Sequence, residues 1–379
     1  MRETCFSFVK RRRNCASFPE PVKPRILGRP LRKIPENSRT RLATLRDVAR
    51  HAGVSLATAS RVASGSAAVR DETRLRVEHA MRDLLYVPPQ QPGTTGAIGL
   101  LVPELGNPIF PAFAEELERS ATEAGLATIL CNTAGSPERE ADYVHMLLER
   151  RVDGMIFISS EVTDVRSDHV HYRRLLRAGA RLVFVNGGSP QLDVTSVGVD
   201  ERAAGRLATE HLLELGHRRI GFAAGDSFSS PTREKAEGRE AALRAGGLDP
   251  DGLVAHTTFT VEGGREAFRS LLANAAGRPT GIICSNDLMA IGVIREAEAH
   301  GLDVPSDLSV VGFDGIEAAS WNEPALTTVE QPIDEIARTA VLALRSLIDG
   351  AQSLPNYVFR PHLRPGRSTA PVGERVDAK

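Results

Sequence analysis

Residues 44–63 hold the side chains best suited to chemistry in this sequence, and the chemistry they suit is recognition of nucleic acid. Four apolar residues between positions 45 and 52 recur at helical spacing and predict a first helix with one apolar face. Gly53 suits a tight turn with positive φ, Val54 can fill the angle between two helices, and Ser55 can cap the second helix. This arrangement predicts a helix-turn-helix.

The second helix of this motif has a small inner face and a polar outer face. Its inner side holds Ala59, Val62 and Ala63, and residues 71–84 predict a third helix that adds Leu75, Val77, Ala80, Met81 and Leu84 to the same core. A helix pair of this kind places its second helix in the DNA major groove. An ordinary three-helix domain is the alternative, because amphipathic helices joined by glycine are common. The outer side holds Leu56, Ala57, Thr58, Ser60 and Arg61.

A second candidate site lies in the polar turns that follow several predicted strands. Such turns occupy residues 103–107, 132–133, 186–188, 285–287 and 313–315. In open α/β sheets, ligands bind just beyond the carboxyl ends of the strands. These turns therefore predict a binding site for a small molecule.

Motifs of enzymes and metal sites are missing from the sequence. We find no P-loop, GxSxG, HExxH or dinucleotide-binding glycine fingerprint. His169 and His171 could suggest a metal, but the stretch is polar and lacks a third ligand, so a solvated helix start is favoured. We predict a protein that is not an enzyme and holds no cofactor or metal.

The elements that must position these residues change in type near position 97. From there, short aliphatic runs alternate with amphipathic stretches of 10 to 15 residues, which is typical of parallel sheets covered on both faces. Roughly 265 residues exceed what one doubly wound sheet needs, so two lobes with a cleft are expected. The predicted strands are 97–102, 127–131, 154–158, 181–185, 196–199, 219–223, 281–285 and 309–313.

The predicted fold is therefore a small all-α helix-turn-helix domain followed by a two-lobed α/β sensor domain with parallel sheets. Its segments are a basic tail (1–42), the DNA-binding head (43–87), a Pro/Gly linker (88–96), the sensor (97–366) and a C-terminal tail (367–379). We expect the first lobe to hold 97–192 and 327–350, and the second 193–326 and 351–366. A last strand around 357–363 would close the second lobe.

Charge is distributed unevenly along the 379 residues. Residues 1–42 hold 12 Lys and Arg against three acids, a net charge of +9, while the head carries +2 and the rest −12. A cationic front suits a protein that meets nucleic acid at one end. We expect residues 1–42 to be an unfolded, solvated tail rather than a secretion signal, with a start site assigned too early as the alternative.

Cysteine content and hydropathy bear on the compartment. The four cysteines show no paired metal spacing, so we expect no disulfides and a reducing cytosol. No segment approaches 18 uninterrupted apolar residues, so no membrane span is expected. The protein is predicted to be cytoplasmic and associated with the nucleoid.

Both regions, in this order, resemble the LacI (lactose repressor) family of bacterial transcription regulators. The resemblance runs from about residue 44 to 371, and its motifs lie in register along the chain. It implies a sensor like a periplasmic binding protein. The closest motifs are 44–62, 72–74, 210–220, 285–292, 307–314 and 324–332.

The resemblance implies roles for the outer residues of the second helix. Leu56 and Ala57 would face base edges, where they offer only apolar contact, and Arg61 would reach further along the groove. Arginine can bind guanine O6 and N7 together. The alternative for Arg61 is a surface arginine in an ion pair. Four hydroxyl residues would contact phosphates and position the helix: Thr44, Ser55, Thr58 and Ser60.

The resemblance also implies an effector pocket between the lobes. Asn and Asp side chains there would bond a polyhydroxylated ligand, and Phe259 would give it a flat apolar face. The alternatives are core packing for Phe110 and Phe259, and helix capping or turn bonding for Asn286 and Asp314. The implied residues are Phe110, Asn186, Phe259, Asn286 and Asp314.

Two features depart from the family pattern. Where the family has an arginine three residues before a glycine, this chain has Lys235 before Gly238, so either the ligand differs or Arg233 takes over. The family's hinge helix, with its minor-groove leucine, is replaced by a shorter link with three prolines and two glycines at 87–97. We predict an extended linker without a wedge, at most about 36 Å long for 11 residues.

The resemblance implies a homodimeric transcription regulator, most simply a repressor, that reads a pseudo-palindromic DNA operator under control of a small molecule. Sugars, nucleosides and purines all fit the implied pocket. A periplasmic-type small-molecule binding protein without a DNA role is the alternative, and it would need an export signal in place of the helical front.

Overall fold

The computed structural model describes residues 25–27, 43–63, 69–84, 86, 95–274, 277–352 and 354–373. Most of the predicted tail (1–42), nearly all of the predicted linker (88–96) and residues 374–379 lie outside the described residues. The prediction of an extended linker therefore stays a prediction.

The head consists of α1 (Leu45–His51), α2 (Leu56–Ala63) and α3 (Asp71–Asp83), as the apolar spacing predicted. Gly53 has the expected positive φ of 65°, which turns the chain between α1 and α2. Val48, Ala59 and Val77 are fully buried where the three helices meet. Leu75 was wrongly assigned to this core, since it is 55% exposed while Val77 and Met81 fill the same space.

The first lobe is built on a parallel sheet. Its strands are β2 (Ala97–Val102), β3 (Ala127–Asn132), β4 (Gly154–Ile158), β5 (Leu182–Val185), β6 (Thr195–Val199) and β12 (Asn356–Phe359). They lie in the order β12-β6-β5-β4-β2-β3. Alternate residues face opposite cores, so Leu100 packs with one set of helices and Leu101 with the other. One face is covered by α4 (Ile109–Glu123) and α12 (Ile333–Ile348), and the other by α5 (Pro137–Glu149) and α6 (Val170–Arg177).

The second lobe is built on a sheet whose strands are β7 (Ile220–Ala224), β8 (Val254–His256), β9 (Gly281–Cys284), β10 (Ser309–Asp314), β11 (Thr327–Glu330) and β13 (His362–Arg364). They lie in the order β13-β11-β10-β9-β7-β8. All of the pairs are parallel except β11 with β13. Its helices are α7 (Glu201–Glu214), α8 (Ser230–Ala245), α9 (Val261–Leu272), α10 (Asp287–Ala299) and the short α11 (Ala318–Trp321). The two-lobed parallel architecture is as predicted.

Three crossovers join the lobes, and they correct the predicted boundaries. β6 pairs with β5 and stays in the first lobe, so the first crossover follows residue 199 rather than 192. β11 pairs with β10 in the second lobe, and the chain returns to the first lobe only after it. The predicted last strand is two strands, because β12 pairs with β6 whereas β13 pairs with β11. The link from β12 to β13 is the third crossover, and residues 365 onwards come after it.

Both predicted tails contain structure. β1 (Arg25–Leu27) pairs antiparallel with β12 at the edge of the first sheet, although residues 1–42 were expected to be unfolded. At the other end, Ser368 is fully buried, and its Oγ accepts from Thr327 N at 2.8 Å and donates to Val310 O at 2.6 Å. Residues 367–370 therefore complete the second lobe rather than beginning a tail, because they satisfy polar groups of β10 and β11.

Candidate functional site

Helix α2 presents the outer face that its sequence predicted. Ala59 and Val62 are buried against the other head helices, whereas Leu56 is 44% exposed. The residues predicted to read bases are solvent-exposed, as is Ser60, and Thr58 is half-buried. The exposed face of α2 thus consists of Ser55, Leu56, Ala57, Ser60 and Arg61.

Two of the hydroxyl groups predicted to contact phosphate, those of Thr44 and Ser55, also form helix caps. Ser55 Oγ accepts from Thr58 N at 3.1 Å and lies 2.8 Å from Thr58 Oγ1. Thr44 Oγ1 accepts from Asp47 N at 3.3 Å, and Thr44 N donates to Asp47 Oδ2 at 2.8 Å, which completes a capping box. These bonds fix the start of each helix. The exposed start of α2 also carries the partial positive charge of the helix dipole.

A cavity of about 560 Å³ lies between the lobes, at the carboxyl ends of their strands. It is lined by six of the seven predicted effector residues: Phe110, Asn186, Lys235, Phe259, Asn286 and Asp314. Glu104 and Asn107, from the predicted turn at 103–107, also line it. So do residues that the sequence prediction missed, among them Asp164, Glu201, Asp226, Phe228, Ser229 and Gln331.

Of the two alternatives left open for the family's arginine, a different ligand or replacement by Arg233, the position of Arg233 disfavours the second. Arg233 is exposed and does not line the cavity, whereas Lys235 is buried and does. The reason is helical geometry, because two positions along α8 turn the side-chain direction by about 200°. Arg233 and Lys235 therefore cannot face the same space.

Close packing of α7 on α8 brings Lys235 to Glu201. A Cβ at Gly205 would lie 2.0 Å from Lys235 O, and a Cβ at Gly238 would lie 2.0 Å from Arg202 O, so only glycine fits at either position. The Lys235 ammonium forms an ion pair with the Glu201 carboxylate, with both side chains under 10% exposed. Lys235 Nζ also lies 3.7 Å from the centroid of the Phe313 ring. The lysine is thus already paired within the protein.

Asp314 belongs to a chain of hydrogen bonds that spans the lobes. Gln331 Nε2 donates to Asp314 Oδ1 at 2.8 Å, and Asn186 Nδ2 donates to Gln331 Oε1 at 2.6 Å. Burial raises the pKa of Asp314 well above its usual range, and the nearby charge of Asp287 raises it further. Asp314 and Asn186 both have positive φ, 116° and 50°, which is uncommon for non-glycine residues and typical of functional sites.

Asn286 serves the structure first, as the capping alternative predicted. It is the N-cap of α10, where its Oδ1 accepts from Met289 N at 2.9 Å, and its Nδ2 donates to Phe259 O at 3.1 Å. These bonds place the Phe259 ring over Gly225, where a Cβ would lie 2.0 Å from a ring carbon. Asn286 therefore positions the aromatic wall of the cavity.

The Asp287 carboxyl lies beneath this site and is fully buried. It accepts from Thr328 Oγ1 at 2.6 Å and from Ile316 N at 2.9 Å. Burial raises the pKa of Asp287 to about 7, although these hydrogen bonds oppose the rise. Asp287 ties α10 to β11 and to the turn after β10, the strand that ends in Asp314.

The charges that line the cavity are mainly negative. Glu104, Asp164, Glu201, Asp226 and Asp314 line it, against Lys235 as the one cation among the lining residues, although the raised pKa of Asp314 favours its neutral form. Five phenylalanines add apolar walls: Phe110, Phe113, Phe228, Phe259 and Phe313. Such a cavity can accept hydrogen bonds from hydroxyl groups and pack against apolar ring faces, but it offers little attraction to an anion.

The two histidines singled out from the sequence have different surroundings. His169 is buried, and desolvation lowers its pKa. His171 lies between two carboxylates, with Nε2 3.2 Å from Glu140 and Nδ1 3.6 Å from Glu161. Two acids distant in sequence thus meet His171, which spacing alone did not indicate.

Two further expectations from the sequence concerned the cysteines and membrane spans. Cys131 and Cys284 are buried free thiols, and burial raises the pKa of Cys131 to about 11. In the described part of the chain, no helix has the length and hydropathy needed to cross a membrane.

Comparison with known families matches both regions. The family described as "Bacterial regulatory proteins, lacI family" matches residues 44–89, and the "Periplasmic binding protein-like domain" matches residues 209–369. A helix-turn-helix transcriptional regulator in the aml 5′ region of Streptomyces limosus is 41% identical over 343 residues, covering 89% of this chain and 97% of that protein.

Two solved structures are similar over most of their length. The complex of the transcriptional regulator CelR with cellobiose has 31% identity and a TM-score of 0.68, covering 86% of this chain and 99% of that one. The lac repressor dimer bound to operator and the anti-inducer ONPF has 27% identity and a TM-score of 0.64, covering 87% and 100%.

Proposed function

The chain belongs to the lacI family of bacterial regulatory proteins, and on that premise we propose that it is a homodimeric repressor whose hold on DNA is set by an uncharged sugar bound between its lobes. The head and the sensor each match a known family. The S. limosus relative, a transcriptional regulator, aligns with this chain over 97% of its own length. These matches favour a DNA-binding regulator over a binding protein without a DNA role.

The pairing of Lys235 with Glu201 carries the proposal that the effector is uncharged. The buried ion pair neutralises the one cation among the lining residues, so no free positive charge faces the cavity from them, while the Asp226 carboxyl also lines it and the Asp164 carboxylate is paired with Arg166 at its rim. An anionic ligand such as a sugar phosphate would lose its hydration and gain no free positive charge in return. A neutral polyol would instead donate hydroxyl protons to the carboxylates.

The aromatic walls support a sugar among neutral ligands. Phe110 and Phe259 line the cavity between the lobes, and the apolar faces of sugar rings can pack against such rings. CelR, with 31% identity, was solved with cellobiose, which is an uncharged disaccharide. A cavity of about 560 Å³ falls within the usual range for small-molecule sites.

A thermal-shift screen tests this proposal. Neutral monosaccharides and disaccharides, their phosphorylated counterparts and nucleosides would be compared at equal concentration. A neutral sugar should raise Tm, because a ligand that binds only the folded state stabilises it by mass action. Its phosphorylated counterpart should not. A Tm rise with the phosphorylated sugar alone would contradict the proposal.

For the head, we propose that α2 lies in the major groove. Arg61 is the candidate for bidentate contact with guanine, and Leu56 and Ala57 for apolar contact with bases. Thr44, Ser55, Thr58 and Ser60 are candidates for phosphate contact; their hydroxyl oxygens can accept within a cap and donate to phosphate. The exposure of the α2 face supports these roles.

A second copy of the chain is the proposed partner. Edge strands β3 and β8 expose Leu130 (49%) and Val254 (37%), and apolar edges of this kind are normally covered. The lac repressor, a structural neighbour, was solved as a dimer on operator. Light scattering should give the mass of two chains, and Leu130→Asp should lower it toward one. Two heads in one dimer would read a two-fold symmetric operator at the nucleoid.

A further inference from the structure

A segment of the first lobe grips the second lobe where the cavity meets solvent. Val165 N donates to Phe228 O at 3.0 Å, and Asp164 and Ser229 form an antiparallel bridge. Thr163, Asp164, Phe228 and Ser229 all line the cavity. Phe228 is 41% exposed, which places this contact at the rim rather than in the interior.

The side chains at this contact add a second link. The Arg166 guanidinium carbon lies 3.8 Å from the centroid of the Phe228 ring. Arg166 is held there by Asp164, with Nε 3.0 Å from Oδ1 and Nη2 2.6 Å from Oδ2. An exposed ion pair adds little stability by itself, but this one orients the guanidinium over the ring of the opposite lobe.

A network within the first lobe holds the gripping segment in place. Ser167 Oγ donates to Glu161 Oε1 at 2.5 Å, and His171 lies between Glu161 and Glu140. The Tyr172 hydroxyl donates to Glu140 and lies 3.2 Å from Ser160 Oγ, and both Tyr172 and Glu140 are buried. Residues 160–167 are therefore tied at both ends before they reach the second lobe.

We propose that Asp164, Val165 and Arg166 of the first lobe and Phe228 and Ser229 of the second form a clasp at the rim of the cavity. The clasp stabilises the closed lobes without effector and slows the passage of effector through this side of the cavity. Its effect on effector exchange rests on the proposed function, whereas its effect on lobe closure does not. Arg166 acts as a positioning residue that holds Phe228 over the rim.

A disulfide across the bridge tests lobe closure directly. Partners in an antiparallel bridge have Cα atoms about 4.5–5.5 Å apart, which suits a disulfide. The double variant D164C/S229C should cross-link under mild oxidation in the absence of effector, as detected by peptide mass mapping. The single variants, which keep the native cysteines, are the controls. Lack of the 164–229 disulfide in the double variant would overturn the clasp.

The same variant tests effector exchange. The cross-linked protein should release a bound neutral sugar at least about tenfold more slowly than the same protein after reduction, because opening now requires breaking a covalent bond. Equal rates would overturn the role of the clasp in exchange. If no sugar binds even wild-type protein, the proposed effector fails, while the cross-linking yield still decides whether the clasp exists.

Arg166→Ala tests the side-chain link. It should raise the effector dissociation rate about twofold to fivefold, the range expected from an exposed cation–π contact of about 0.5–1 kcal/mol. Arg244→Ala is the matched control, since Arg244 is an exposed arginine paired with Glu240 away from the rim. An unchanged effector dissociation rate in Arg166→Ala would remove Arg166 from the clasp.

Discussion

On helix α2 most side chains proposed to meet DNA are exposed to solvent, whereas in the cavity two side chains proposed to meet the effector, Lys235 and Asp314, are buried and bonded within the protein. Leu56 and Arg61 project from a surface whose core consists of other residues. Lys235 and Asp314, by contrast, are buried and held by Glu201 and Gln331. A change on α2 should therefore act locally, while a change in the cavity should also alter stability.

The largest expected effect is in the cavity, at Lys235. Lys235→Met removes one partner of a buried ion pair and leaves the Glu201 carboxylate uncompensated, so the free energy of unfolding should fall by about 3–5 kcal/mol. Urea denaturation measures this loss. The double variant Lys235→Met/Glu201→Gln should recover much of the lost free energy of unfolding. Arg244→Ala, which breaks an exposed ion pair, should cost at most about 1 kcal/mol. Equally small losses of unfolding free energy in Lys235→Met and Arg244→Ala would mean that burial of the Lys235–Glu201 pair is unimportant for stability.

The pH dependence of stability should also arise in the sensor. The pKa of Asp287 is about 7 in the folded chain against an ordinary 3.8, so the folded state binds the extra proton between these values. Asp287 should therefore lower the free energy of unfolding by up to about 1.4 kcal/mol per pH unit as pH rises through this range. Asp287→Asn should flatten that slope in urea denaturation at a series of pH values. An unchanged slope would refute the assignment.

Arg61→Ala should affect the head alone. Loss of a bidentate contact with guanine costs about 1–3 kcal/mol, which corresponds to about fivefold to 150-fold in operator affinity. Fluorescence anisotropy with labelled operator gives the operator Kd, and calorimetry should give the same effector Kd as wild type. Arg76→Ala is the control, since Arg76 is exposed on α3 rather than on α2. Operator binding that survives Arg61→Ala unchanged would remove α2 from its proposed role.

The smallest effect is expected at Ser55. Ser55→Ala removes the hydroxyl that accepts from Thr58 N, and loss of such a cap costs about 0.5–2 kcal/mol. Operator affinity should fall modestly, and the sensor's response to effector should stay. Ser55→Asp restores a cap but places a negative charge near phosphate, so it should recover stability and not operator affinity. Recovery of both would show that Ser55 only caps the helix.

The contrast between the two regions also explains what could be predicted from the sequence. The head follows from local spacing, because buried residues such as Ala59 and Val62 on α2, or Val77 and Met81 on α3, recur at helical intervals and Gly53 takes the turn. Only the exposed Leu75 departed from the pattern, since periodicity does not show which of two apolar residues finds room in the core.

The cavity could be predicted only in part. The polar turns after the strands located Asn186 and Asp314, but Gln331 was missed because β11 had been assigned to the wrong lobe. Strand pairing depends on contacts between distant residues, which local patterns do not record. Glu201 escaped because it meets Lys235 only when α7 packs on α8, and the clasp residues escaped because they meet only when the lobes come together.

The central claim is that the cavity controls the head through Asp314 without contributing to DNA binding itself. The decisive measurement is the operator Kd of wild type and Asp314→Ala, each with and without the neutral sugar that raises Tm. Wild type should show a shift of about tenfold or more, within the usual range of allosteric coupling. Asp314→Ala should show none, with its sugar-free operator Kd within about threefold of wild type. An undiminished shift in the variant, or no shift in wild type, would contradict the account.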